Sequence, residues 1–133
     1  MRLEGLTACV PYRVPFADTD ASGRLYWGAL FRIFSEAEVA LWRHLDVIDV
    51  YAMLPRAHVE ANYLKAMAFD DELDVHATVE AVGSTSVTVS FRIERAGIDV
   101  ANGSVVAVHV DEAGVPIPVL SALRSRTQQQ HRP

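Results

Sequence analysis

The apolar residues of this chain repeat with two periods. Between Gly28 and Leu45 they recur every three or four positions. Leu30, Phe34, Ala37, Leu41 and Leu45 make one stripe, Phe31 and Trp42 widen it, and Arg32, Glu36 and Arg43 take the opposite side. Such spacing predicts a helix, and so wide a stripe predicts a helix nearly engulfed by its partner. Elsewhere the period is two. Val59, Ala61 and Tyr63 alternate with His58, Glu60 and Asn62; Leu73, Val75, Ala77 and Val79 with Asp74, His76, Thr78 and Glu80; Val87, Val89, Phe91 and Ile93 with Thr88, Ser90, Arg92 and Glu94. A fourth run ends near Val110. Alternation over these lengths predicts strands. Gly83-Ser84 and Gly97 fall at the joints, as hairpin turns require. Ahead of the helix, Tyr12, Val14 and Phe16 alternate with Arg13 and the prolines 11 and 15, which restrict that stretch to an edge or bulged strand. Residues 120–127, LSALRSRT, read as a short last helix or a final turn.

The predicted order is strand, long helix, then four strands joined by short turns. One antiparallel sheet of about five strands curls around one helix, an α+β layout. A chain of 133 residues makes one domain, 1–133, with a polar tail from about Ser125 that reads as frayed.

Composition narrows the function. Half the residues are hydrophobic, 22% are charged, and the formal net charge is -5. That suits a globular protein and counts against a nucleic-acid partner, which asks for a basic face. A local basic patch for a phosphate-bearing ligand stays compatible. Cys9 is the sole cysteine, so no internal disulfide forms and a reducing compartment is expected. The first residues, MRLEGLTACVPYRV, hold Glu4 and two arginines and no long apolar core, so no signal peptide is expected. No apolar run approaches membrane-spanning length. The expected location is the cytoplasm, with no membrane partner.

Several kinds of site are missing. There is no phosphate loop and no dinucleotide fingerprint. Histidines 44, 58, 76, 109 and 131 are dispersed, and none has metal-ligand spacing with the cysteine. The stretch GSTSV lacks the second glycine of a nucleophile elbow. No metal and no cofactor is expected.

The stretch FADTDASGRLYWGALF, residues 16–31, carries the best candidate chemistry. Asp18 and Asp20 suit turns and helix N-termini, where acids are common. Asp20, however, stands seven residues before Trp27, too far to cap the helix directly. Ser22-Gly23 reads as a turn that folds the loop back. The helix start offers unsatisfied N–H groups around Trp27, Gly28 and Ala29. Such donors hold a developing oxyanion, and a carboxylate folded over them faces the carbonyl carbon they hold.

DTDASGRLYWGALFRIF resembles the opening motif of the 4-hydroxybenzoyl-CoA thioesterase branch of the hotdog-fold superfamily. That motif runs roughly Asp-x-Asp-x-x-Gly-x-x-Tyr-(His/Tyr)-x-x-Tyr-x-x-(Phe/Trp). VEANYLKAMAFDDELDV is similar to the same family's second strand and the acidic turn into the third. The resemblance covers about Pro11 to Val110. It implies a sheet wrapped around the long helix, protomers paired as a homodimer or tetramer, and active sites at the protomer interface. It implies that Asp20 is the catalytic carboxylate, that the backbone N–H of Trp27 is the oxyanion donor, that Gly23 is the turn glycine and that Asp18 is structural. The residue that is commonly His or Tyr is here Trp27, the tyrosine three residues later is Leu30, and a glutamate often found eight residues past the oxyanion position is Ser35, with Glu36 beside it. Trp27 keeps a backbone donor, while the acyl group is not carried over with the resemblance.

The expected activity is hydrolysis of an acyl-CoA or acyl-carrier-protein thioester to acid and thiol. Substrate-binding positions follow: Gly28 at the helix start, Phe31 and Ser35 along the acyl pocket, His58 and Asn62 from one strand, and Lys65 and Arg92, with Arg95, for the phosphates of coenzyme A. Plain surface is the competing reading for those strand residues. For Glu36 the competing reading is an ion pair with Arg32 at i-4. Two rivals stay open on the sequence alone. One is a hotdog hydratase or dehydratase, which would want a His–acid pair at the helix start. The other is a hotdog protein that binds acyl thioesters without turnover.

Overall fold

In the computed structural model, residues 3–119 and Leu123 are described. The expected last helix or turn at 120–127 and the polar tail lie, apart from Leu123, outside them. The elements in chain order are β1 (Thr7–Arg13), α1 (Ala29–His44), a one-turn α2 (Ile48–Tyr51), β2 (Arg56–Tyr63), β3 (Glu72–Val82), β4 (Ser86–Arg95) and β5 (Ile98–Val108). The five strands form one sheet in the order β1-β3-β4-β5-β2, antiparallel throughout. This is the α+β layout that the periodicities predicted.

α1 is buried along Leu30, Ile33, Phe34, Ala37, Glu38, Leu41 and Trp42. It lies against the sheet face formed by Val75, Ala77, Val89, Phe91, Ile93, Ala101 and Val105. At Phe34 the ring stacks on Phe91 with centroids 4.5 Å apart. Opposite it on β5 stands Gly103. A Cβ there would lie 2.4 Å from the Glu60 carbonyl oxygen and 2.6 Å from Phe34 Cε2. The glycine lets helix and strand approach.

The turns are local. Ala96 and Gly97 both take positive φ, 53° and 78°, and make a two-residue hairpin between β4 and β5. Pro11 sits in β1, an edge strand, where its missing N–H removes no ladder bond to a further neighbour. β2 is the other edge. Its register slips between Arg56 and His58, a bulge that turns Arg56 toward the helix side.

Candidate functional site

The chain leaves β1 at Arg13 and crosses toward α1 through a short 3-10 turn, Phe16–Asp18. Thr19 then bridges Leu25, the Asp20 N–H donates to the Arg24 carbonyl at 2.9 Å, and the Gly23 N–H donates back to the Asp20 carbonyl at 3.0 Å. Residues 20–23 are thus a tight turn inside a miniature hairpin. Gly23 holds φ at 77°, which glycine adopts without strain. The hairpin is tied to the chain past β2 by the Leu25 N–H on the Met67 carbonyl, 2.7 Å, and by a bridge from Arg24 to Ala68.

The two acids have opposite surroundings. Asp18 is buried and accepts from the Tyr12 hydroxyl and the Arg32 guanidinium, and its carbonyl receives the Tyr26 N–H at 2.7 Å. Burial pushes its carboxyl up, and the hydrogen bonds from Tyr12 and Arg32 outweigh that and hold it below its usual value. Asp20 is exposed at the head of the turn. Its Oδ1 accepts from the Ser22 hydroxyl and from the Ser22 N–H at 2.8 Å, and these bonds lower its pKa. Asp20 is an ionised carboxylate at neutral pH on an exposed turn.

The helix start has no polar cap. Gly28 is the N-cap with no side-chain hydrogen bond, and the first turn of α1 holds no acid. The Ala29 N–H donates to the Tyr26 carbonyl, whereas among the described residues the N–H groups of Trp27 and Gly28 have no acceptor. They stand at the positive end of a 16-residue helix. A Cβ on Gly28 would sit 2.7 Å from the Tyr26 ring, so glycine keeps this approach open. The Trp27 side chain is 64% exposed, and the Tyr63 hydroxyl, from the end of β2, donates to the Trp27 carbonyl. A pocket of about 270 Å³ lies beside the hairpin, lined by Arg24, Leu25 and residues 63–67.

The remaining expected positions divide. Phe31 and Ser35 are half-buried on α1, one and two turns past the donors, and the Ser35 hydroxyl meets the Tyr51 hydroxyl at 3.0 Å. Lys65 lines the pocket. His58, Asn62 and Arg92 are not brought there. They occupy the sheet face turned away from α1: Asn62 donates to Asn102, Arg92 pairs with Glu94 and Asp99, and His58 lies 3.6 Å from Glu60. The period of two explains this, because Val59, Ala61 and Tyr63 hold the helix side of β2. Arg95 pairs with Asp71 at 2.8 Å, and Glu36 lies 3.4 Å from Arg32.

Two features escaped the sequence reading. One is the Tyr12–Asp18–Arg32 cluster, which joins β1, the loop and α1. The other is Glu38, 1% exposed, which accepts from Trp42 Nε1 at 2.9 Å and pairs with Arg56 at 2.8 Å. Its signal was its place in the buried stripe, four residues past Phe34 and three before Leu41.

A family model described as the thioesterase superfamily matches residues 23–102. The chain belongs to the thioesterase superfamily. The match begins at the turn glycine and takes in Trp27 and Gly28, and Asp20 lies just ahead of it. Solved structures share the superfamily fold. A 1,4-dihydroxy-2-naphthoyl-CoA thioesterase from Synechocystis superposes with a TM-score of 0.81 at 17% identity, covering 96% of this chain and 99% of that one. A thioesterase from Thermus thermophilus, solved with coenzyme A and zinc, gives 0.80 at 22% identity, covering 90% and 96%. A gentisyl-coenzyme A thioesterase gives 0.80 at 18%, covering 90% and 99%. At these identities the likeness is one of fold. No curated protein matches the chain. Among the described residues of this superfamily member, no group of three or more His, Cys, Asp and Glu could hold a metal ion, and no helix is long and apolar enough to cross a membrane.

Proposed function

We propose that this thioesterase-superfamily protein hydrolyses an acyl thioester, carried on coenzyme A or on an acyl carrier protein, to the free acid and the thiol. One observation carries the reading: an ionised, solvent-facing carboxylate heads the turn that leads into a helix start with two unused N–H donors. The donors of Trp27 and Gly28 receive the thioester carbonyl oxygen and stabilise the negative charge that forms on it. Asp20 then takes one of two roles. As nucleophile, its oxygen bonds to the carbonyl carbon, the C–S bond breaks, the thiolate leaves, and water hydrolyses the mixed anhydride. As base, it takes a proton from the water that attacks. Phe31 and Ser35 flank the acyl group, and Lys65 lies on the carrier side.

The site is completed by a second copy. Trp27, Val59, Tyr63 and Leu64 are all exposed along the β2 edge and the adjoining helix start. An unpaired edge with apolar side chains invites another strand. A homodimer through β2 covers this patch and encloses the Asp20 turn.

Thiol release from a panel of acyl-CoA and acyl-carrier-protein substrates tests the reading. Turnover that disappears in Asp20→Asn is the expected result. Loss of an enoyl absorbance without thiol release would select a hydratase, and saturable binding with neither would select a non-catalytic binder; either overturns the proposal.

A further inference from the structure

We propose that Tyr63 is a positioning residue for the reaction: its hydroxyl fixes the peptide plane between Trp27 and Gly28 and so aims the Gly28 N–H at the substrate carbonyl oxygen. The proposal rests on the thioester reading of the site and adds what holds its donors still. The peptide between Trp27 and Gly28 is trans, so its C=O and its N–H point opposite ways. Whatever holds the Trp27 carbonyl therefore sets the direction of the Gly28 N–H. That carbonyl receives the Tyr63 hydroxyl. Gly28 does little to restrain the plane itself. Glycine is the freest residue in φ and ψ, and Gly28 has no side-chain cap. A larger residue is excluded, because its Cβ would meet the Tyr26 ring at 2.7 Å. The restraint has to come from outside the helix start, and Tyr63 supplies it. The same bond polarises the peptide. Hydrogen bonds in a chain strengthen one another, so a bonded carbonyl makes its own N–H a better donor.

Tyr63 is itself held. It is the last residue of β2 and stands opposite Ala101 of β5. The next two N–H groups, of Leu64 and Lys65, both donate to the Val100 carbonyl, at 2.9 and 3.1 Å, and Val100 is buried. The hydroxyl is thus delivered from a strand end stapled to the interior of the sheet, and a side chain that positions others needs such a base. Partial burial raises the pKa of the hydroxyl, which keeps it protonated and able to donate. The ring does less. It is 46% exposed and, among the described residues, pairs with no other ring, whereas the neighbouring Tyr26 and Trp27 rings pair with each other at 5.4 Å. The hydroxyl is what joins the end of β2 to the helix start.

Two measurements test this, one of them without substrate. In NMR spectra of the free protein, Tyr63→Phe should move the Trp27 carbonyl-carbon and Gly28 amide-nitrogen resonances together. In steady-state kinetics on the best substrate of the acyl-thioester panel, it should lower kcat and leave KM within about 2-fold, because the donors act mainly on the charge that develops in the transition state. Outright removal of an oxyanion donor costs about 100- to 1,000-fold in kcat, and misaiming one of two should cost less, about 10-fold. Tyr63→Leu, which lacks both ring and hydroxyl, should lose kcat to the same extent. A Leu variant that is impaired while Tyr63→Phe keeps wild-type kcat assigns the effect to the ring and overturns the proposal. So do Trp27 and Gly28 resonances that stay in place in Tyr63→Phe. Sedimentation should match the wild type for both variants, and a kcat loss that tracks dissociation of the protein overturns the proposal too. The hydrolytic reading fails separately. A wild type that releases no thiol removes it, and the two resonances still decide whether Tyr63 sets the Gly28 N–H. Wild-type kcat in Tyr63→Phe beside an inactive Asp20→Asn removes Tyr63 alone.

Discussion

At the scale of single residues, the proposed function gives Asp18 a framework role and Asp20 a chemical one. Asp20→Asn keeps the turn's hydrogen bonding to Ser22 but removes the charge. Its kcat should fall about 100- to 10,000-fold, with a much smaller change in KM, because the oxyanion donors are backbone groups. The Ser22 bonds hold Asp20 below its ordinary value of 3.8, so the acid limb of kcat/KM should lie below 3.8, as a pH–rate profile would read. Wild-type turnover in Asp20→Asn would remove Asp20 from the chemistry. Asp18→Asn should behave in the opposite way, retaining turnover and losing ~1–2 kcal/mol of stability through weaker bonds to Tyr12 and Arg32. The sign with pH follows from its lowered folded pKa. Its contribution is present above 3.8 and is lost as the pH falls through the folded value, so melting curves of the wild type and of Asp18→Asn should converge in acid. The Asp-x-Asp spacing and the turn at Ser22-Gly23 were legible in the sequence. The proposed division of labour came only through resemblance, and nothing local says that Tyr12 and Arg32 converge on Asp18.

At the scale of elements, the seating of α1 on the sheet depends on one missing side chain. Gly103→Ala places a methyl against the Glu60 carbonyl and the Phe34 ring, and overpacking of this kind costs about 1–3 kcal/mol. Chemical denaturation should show that loss, and an unchanged midpoint would mean that β5 relaxes freely. Farther along the helix, the buried Glu38 titrates abnormally. Burial raises its pKa above 4.5 against the opposing pull of Arg56 and Trp42. Between 4.5 and the raised folded value the native protein binds a proton that the unfolded chain has released. Stability from this group therefore falls as pH rises through that window, and Glu38→Gln should remove that slope from a series of unfolding curves. The helix and all five strands were readable because burial imposes its period on the chain. For His58, Asn62 and Arg92 the pattern is silent about the site, because alternation says that two sets of side chains face opposite ways, not which set meets a ligand. The bulge that admits Arg56 to Glu38 left no mark in the pattern.

At the scale of the molecule, the two edges of the sheet are treated differently. β1 carries Pro11, and its neighbour in the sheet covers one side only, while β2 presents Val59 and Tyr63 to solvent. Sedimentation equilibrium should find a dimer at micromolar concentration. Val59→Asp, which puts a charge on the helix side of that edge, should shift it toward monomer and reduce turnover together. A monomeric variant with full activity would show that one copy suffices. The strand order also has a kinetic side. β3, β4 and β5 are consecutive hairpins, whereas β1 meets β3 and β2 meets β5 only after long stretches of chain have closed. Such closures are entropically late events. The meander is then the part of the protein that forms first and opens last. The Asp20 hairpin and the β2 edge, where catalysis and assembly are proposed, belong to the part that opens first. Amide exchange would order the strands in that sequence, and a second copy or a bound thioester would slow exchange most where it starts fastest.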